Sequence, residues 1–90
     1  MGIKINLYPY FHQYTNGQQV AVVNGSTVGQ CLDHLAKQFP GIRQELFDKN
    51  GKLHGYLAIY LNGQSAYPEE LDKPVKDGDE LDILIIIDGG

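Results

Sequence analysis

Glu80-Leu81-Asp82-Ile83-Leu84-Ile85-Ile86-Ile87-Asp88-Gly89-Gly90 closes the sequence, and how this stretch is read decides how the rest is assembled. The apolar run over 81–87 is dominated by β-branched residues and is apolar in both parities. It therefore predicts a strand buried in the middle of a sheet rather than one at an edge. Beyond it lie Asp88 and two glycines with no Cβ. That composition predicts a slender tail over 88–90, suited to carrying a terminal carboxylate into another protein's active site.

Ninety residues predict one domain, over 1–87, with a single core and about two-thirds of the unfolded chain's surface buried. One cysteine, Cys31, excludes a disulfide framework and any four-thiolate metal site. The opening residues Met1-Gly2-Ile3-Lys4-Ile5 alternate at once and lack the charged and apolar regions of a signal peptide. No apolar stretch is long enough to span a bilayer, so a cytoplasmic protein with no membrane partner is expected. A net charge of -4 with scattered Lys and Arg weighs against nucleic acid.

Working back from the last strand, Ile3, Ile5 and Leu7 alternate with Lys4, Asn6 and Tyr8 and predict a first strand, ended by Pro9. Residues 8–17 are rich in aromatics and read either as a lid on one end of the core or as a contact loop. A second strand is expected over 18–23, turning out at Asn24-Gly25 and pairing antiparallel with the first. Thr27 and Gln30 form a capping-box pattern, and Val28, Cys31, Leu32, Leu35, Ala36 and Phe39 recur on one face of the helix that follows. Pro40-Gly41 ends that helix, and 42–47 is expected to be a short turn placing Leu46 and Phe47 on the core. A third strand over 56–61 runs into Asn62-Gly63, a strong hairpin signal, with a shorter strand over 64–67. Residues 68–74 predict a helical turn with Leu71 inward. The order of elements predicts an α+β, β-grasp architecture: a mixed sheet of four to five strands, one amphipathic helix on one face, and the last strand parallel to the first and between it and the third.

Parity assigns the faces. Asp82 and Asp88 prefer water, so Leu81, Ile83, Ile85 and Ile87 are expected to meet the helix, with Leu84 and Ile86 on the outer surface. Ala58 and Tyr60 of the third strand and Tyr8 of the first should join them. The five form an expected apolar partner-binding patch continuous with Asp88 and Gly89 of the tail.

Taken together, Thr27-Val28-Gly29-Gln30-Cys31-Leu32, Phe39-Pro40-Gly41, Leu61-Asn62-Gly63, Val75-Lys76-Asp77-Gly78-Asp79-Glu80-Leu81 and Gly89-Gly90 resemble the ubiquitin-like sulfur carriers. The nearest relative is the small subunit of molybdopterin synthase, followed by the thiamine-pathway sulfur carrier. The resemblance implies that Gly90 is the reactive residue. Its carboxylate would be adenylated by a ubiquitin-activating-type adenylyltransferase using ATP, converted to a thiocarboxylate by a sulfur donor protein, and delivered to an acceptor enzyme such as a molybdopterin synthase large subunit. The chain would be a co-substrate rather than an enzyme, with no bound cofactor or metal. It departs from its relatives at Ile86-Ile87-Asp88, where they often have a proline-containing segment and a small residue. A basic group in the activating enzyme is expected to face Asp88.

A ubiquitin-like modifier, joined to lysine through an isopeptide bond, needs the same activated carboxylate and stays open, as does a plain β-grasp interaction module with an incidental diglycine. Other constellations carry less. Cys31 falls on the helix's buried face, where a thiol is inert. His12, His34 and His54 lack ligand spacing. Asp77, Asp79 and Glu80 crowd one turn without the alternating ligands of a calcium loop and are expected to be solvated.

Overall fold

Five strands form within the described part of the chain, residues 2–86 of the computed structural model. They are β1 (Ile3–Leu7), β2 (Val20–Val23), β3 (Leu57–Leu61), β4 (Gln64–Ser65) and β5 (Glu80–Ile85). Helices α1 (Val28–Gln38) and α2 (Arg43–Leu46) lie between β2 and β3. The sheet order is β2-β1-β5-β3-β4. β5 is central, parallel to β1 on one side and antiparallel to β3 on the other. This is the β-grasp topology that the order of elements predicts.

Alternation sets which face is buried. Ile3, Ile5, Leu57, Ile59, Leu81 and Ile83 point to one side and are buried against Val28, Cys31, Leu32, Leu35 and Ala36 of α1. A one-residue slip of β5 would exchange Ile83 for Asp82 in this layer, forfeiting roughly 2–3 kcal/mol of burial and desolvating a carboxylate, so the register is strongly specified. Ile85 and Leu61 are only partly buried at the ends of their strands. Ile87, expected on the same face, lies outside the described residues.

α1 begins as its capping residues require. The Thr27 hydroxyl accepts the Gln30 amide at 3.1 Å, a cap worth about 1 kcal/mol. The Gln30 side chain reaches back to the Ser26 amide at 2.7 Å, one residue earlier than the reciprocal bond of a standard capping box. The helix is also tied to the 70–75 segment: Val28 N–H donates to Lys73 and Val75 N–H to Ser26. Gly29 suits this close approach, because a Cβ there would sit 3.0 Å from the Leu71 carbonyl oxygen, tighter than an ordinary contact. Leu71, in the turn Glu70–Asp72, packs on the core from that side.

Residues Pro9–Tyr14 form a 3-10 helix that closes one end of the core. Phe11 and Thr15 are fully buried, and Tyr8 and Tyr14 pack against the same cluster. Thr15 is accommodated because its hydroxyl donates to the Gln18 carbonyl at 2.9 Å. Of the two readings of this segment, the lid accounts for these residues. Tyr10 faces outward, its hydroxyl donating to Glu45 at 2.9 Å.

Several boundaries fall short of the sequence pattern. β2 starts at Val20 and β3 at Leu57, whose amide is taken by the His54 carbonyl in a turn. β4 has two residues where four are expected. It follows Asn62 and Gly63, at φ 51° and 83°, the two positive values of the type I′ turn that Asn-Gly favours.

Asp79 corrects the expectation for its turn. It is buried rather than solvated, accepting from Asn62 Nδ2 at 3.1 Å and from the Lys76 amide at 2.9 Å. These bonds, the Asn62 one foremost, hold its carboxyl below the usual aspartate range. Asn62 completes the arrangement by exchanging backbone and side-chain bonds with Glu80.

Candidate functional site

The sheet's outer face divides along β5. At the start of the strand it is polar: Asn6 Nδ2 donates at 2.7 Å to Glu80 and at 2.7 Å to Asp82. Toward the finish it is apolar. Leu84 pairs with Ala58, and the Tyr8 amide donates to the Ile83 carbonyl at 3.2 Å, placing Tyr8 on the other flank. The register thus brings Tyr8, Ala58, Leu84 and Ile86 to the end of β5 from which the chain leaves the sheet. Tyr60 lies one step back, opposite Asp82.

The exposure of the five is uneven. Leu84 is 37% and Ile86 55% exposed, whereas Tyr8, Ala58 and Tyr60 are half-buried. Leu84 and Ile86 are therefore the large side chains that this patch offers outright. Ile86 donates its amide to the Tyr56 carbonyl at 2.7 Å. Asp88, Gly89 and Gly90, the other expected site residues, lie outside the described residues.

Three aromatic residues with no assigned role in the sequence reading flank the same exit. Tyr56 is exposed and stacks on His54 with ring centroids 4.9 Å apart and planes 10° from parallel. Tyr67 is 76% exposed and lines, with Ile86, a groove beside β3. Its position before Pro68, at the end of the strand expected over 64–67, was the available signal, since a residue before proline is directed away from helix toward extended backbone.

Elsewhere, reactive groups are occupied structurally. Cys31 is buried, and burial pushes its thiol pKa up, away from the thiolate needed for nucleophilic chemistry. His12 Nε2 donates to the Leu7 carbonyl and His54 Nε2 to that of Gln44, while His34 Nδ1 accepts the Asn24 amide. Among the described residues no three His, Cys, Asp or Glu side chains gather as metal ligands. No described helix is long and apolar enough to cross a membrane.

A β-grasp sheet whose central last strand leads, through an apolar exit, to a diglycine defines the ubiquitin-like class of carrier. The ThiS family model matches residues 10–90, and the chain belongs to this family of ubiquitin-like sulfur carriers. It is 29% identical to the sulfur carrier protein CysO of Mycobacterium tuberculosis, over the whole of both chains. Among solved structures it is similar to the Amycolatopsis orientalis BexX/CysO complex, with a TM-score of 0.89, 28% identity, and 99% of this chain and 100% of that chain covered. It is also similar to SAMP1 of Haloferax volcanii, with a TM-score of 0.84, 25% identity and 98% of each chain covered. A putative molybdopterin converting factor subunit 1 from Pyrococcus furiosus shares the fold, with a TM-score of 0.69 at 18% identity, covering 94% of this chain and 97% of that chain.

Proposed function

We propose that the chain is a protein co-substrate whose Gly90 carboxylate is the acting group, carried on a tail formed by 88–90 at the end of a single domain over 1–87. A carboxylate resists nucleophiles because its charge repels them and it has no good leaving group. In the proposed cycle its oxygen attacks the α-phosphorus of ATP in a ubiquitin-activating-type adenylyltransferase, releasing pyrophosphate and leaving an acyl-adenylate. Hydrosulfide then displaces AMP to give the thiocarboxylate. If the sulfur arrives as a donor protein's persulfide, the first product is an acyl disulfide, which a thiol reduces to the same species. The tethered sulfur reaches an acceptor enzyme at high effective concentration.

The observation that carries this reading is the family match, which extends from residue 10 through Gly90. The outer-face residues Tyr8, Ala58, Tyr60, Leu84 and Ile86, with Asp88 and Gly89, are the proposed contacts for both enzymes. For the destination of the sulfur, the full-length likeness to CysO weighs more than the molybdopterin-named structure, whose 18% identity speaks only to fold. We therefore favour a CysO-type carrier over a molybdopterin synthase small subunit. The A. orientalis CysO is found in a protein complex, the kind of association that such a cycle requires.

A second reading, protein modification through lysine, is favoured by the likeness to SAMP1, a small archaeal modifier protein. Both readings use the same adenylate and differ in the nucleophile that accepts the acyl group. Intact mass after incubation with ATP, an adenylyltransferase and a sulfur donor tests the first. Loading should exchange one terminal oxygen for sulfur, and a chain lacking Gly90 should gain nothing. Recovery of the chain joined to lysines of other proteins, with no thiocarboxylate formed, would replace the carrier reading with the modifier one.

A further inference from the structure

We propose that the groove beside Ile86, which Ala58, Tyr60 and Ile86 of the outer-face patch help to line, extends that contact for the enzyme that receives Gly90 and takes an apolar side chain flanked by a cationic one. The proposal rests on the Gly90 reading above. The groove has a volume of about 490 Å³. Leu53, Ala58, Tyr60, Tyr67, Glu70 and Ile86 contribute to its lining. It lies on the β3–β4 side of the sheet, whereas Tyr8 flanks β5 from the β1 side.

Two observations name the occupant. The first is reach. Residues 87–90 can span at most about 14 Å whatever their conformation. An enzyme holding the Gly90 carboxylate at its reacting centre must therefore bring its surface within that distance of Ile86, which itself lines the groove. The second is chemistry. Tyr67, a large and mostly exposed ring that lines the groove with Leu53, Ala58 and Ile86, is the kind of side chain on which binding energy concentrates when a partner excludes water. Glu70 places a carboxylate in the lining and makes no ion pair among the described residues. A partner that seats an apolar knob there and offers Arg or Lys to Glu70 satisfies both features.

The test is ATP–pyrophosphate exchange by an adenylyltransferase that accepts the wild-type chain, followed against carrier concentration. Tyr67→Ser and Glu70→Lys should each raise KM for the carrier about tenfold with kcat unchanged, and Glu70→Lys should weaken the salt dependence of KM. Val22→Ser, at an exposed position of β2 on the far side of the sheet, should leave KM as it is. Ser65→Arg, which enters the groove from the exposed strand β4, decides the matter if Tyr67→Ser lowers Tm. Wild-type KM in Tyr67→Ser, Glu70→Lys and Ser65→Arg, with exchange abolished by deleting Gly90, would overturn the groove and keep the Gly90 reading. Exchange that survives deletion of Gly90 would overturn both. A wild-type dimer that Ser65→Arg dissociates without changing KM would give the groove to a second copy and overturn the proposal.

Discussion

At its start β5 is fastened by polar groups: Asp79 is held by Asn62 and the Lys76 amide, Asn62 by Glu80, and Glu80 with Asp82 by Asn6. At its finish the surroundings are apolar and partly open, with Leu84 and Ile86 exposed and Tyr56, Tyr67 and a groove alongside. The same strand thus has one end whose side chains satisfy one another and another where, among the described residues, large apolar side chains such as Leu84 and Ile86 stay exposed. Groups of the first kind hold a strand in register, and those of the second kind are available to bind. The difference teaches that the domain is anchored at the start of β5 and left open at the finish, the end at which the proposed partner contacts lie.

The largest effect expected is at the finish. Deleting Gly90 should abolish sulfur loading entirely while leaving Tm unchanged, as read by intact mass and thermal melting. A chain that loads without Gly90 breaks the functional half of the comparison.

Next, Ile86→Asp should weaken binding to the activating enzyme about tenfold without unfolding the domain. Val22→Asp, at a residue that is 61% exposed on the same outer face, should not alter it. Equal losses in the two, measured by titration calorimetry, would mean that the whole face binds and that the exit is not special.

At the start of β5 the expected effect is on stability. The folded pKa of Asp79 lies below the ordinary aspartate value of about 3.9. Its contribution is therefore complete above that value and lost as pH falls through the lower folded pKa. Asp79→Asn should lower Tm by several degrees at neutral pH and flatten the fall of Tm below about pH 4. Some acid slope should remain, because Arg43 beside Asp33 and the Lys52 amide beside Asp48 depress those carboxyls too. A variant as acid-sensitive as wild type would show that the anchor lies elsewhere.

The smallest effect concerns neither end. Cys31, buried under the sheet, should resist alkylation in the native state and react at an ordinary thiol rate once unfolded.

Much of this was legible in residue pattern. The two-residue period of Ile3-Ile5-Leu7, the apolar run of β5 and the helical spacing from Val28 to Ala36 give elements, faces and topology, because burial acts on periodicity directly. The outward position of Leu84 and Ile86 followed from the parity of Asp82. Less legible was how far each outward residue is covered. Tyr8 and Tyr60 are half-buried where Ile86 is exposed, and Tyr8 packs against the core cluster.

The sequence by itself determined the β-grasp order, the central position of the last strand, the buried thiol and the diglycine, each of which depends on local composition or period. The tertiary structure alone decided that Asp79 is an anchor rather than a wet turn residue, that Gln30 bonds Ser26, and that Tyr67 and Glu70 line the groove that also contains Ile86. The reason is separation along the chain: Asn62 reaches Asp79, and β4 leads the chain back past β3, only after the sheet has formed. No local pattern encodes which distant donors and rings will then be neighbours.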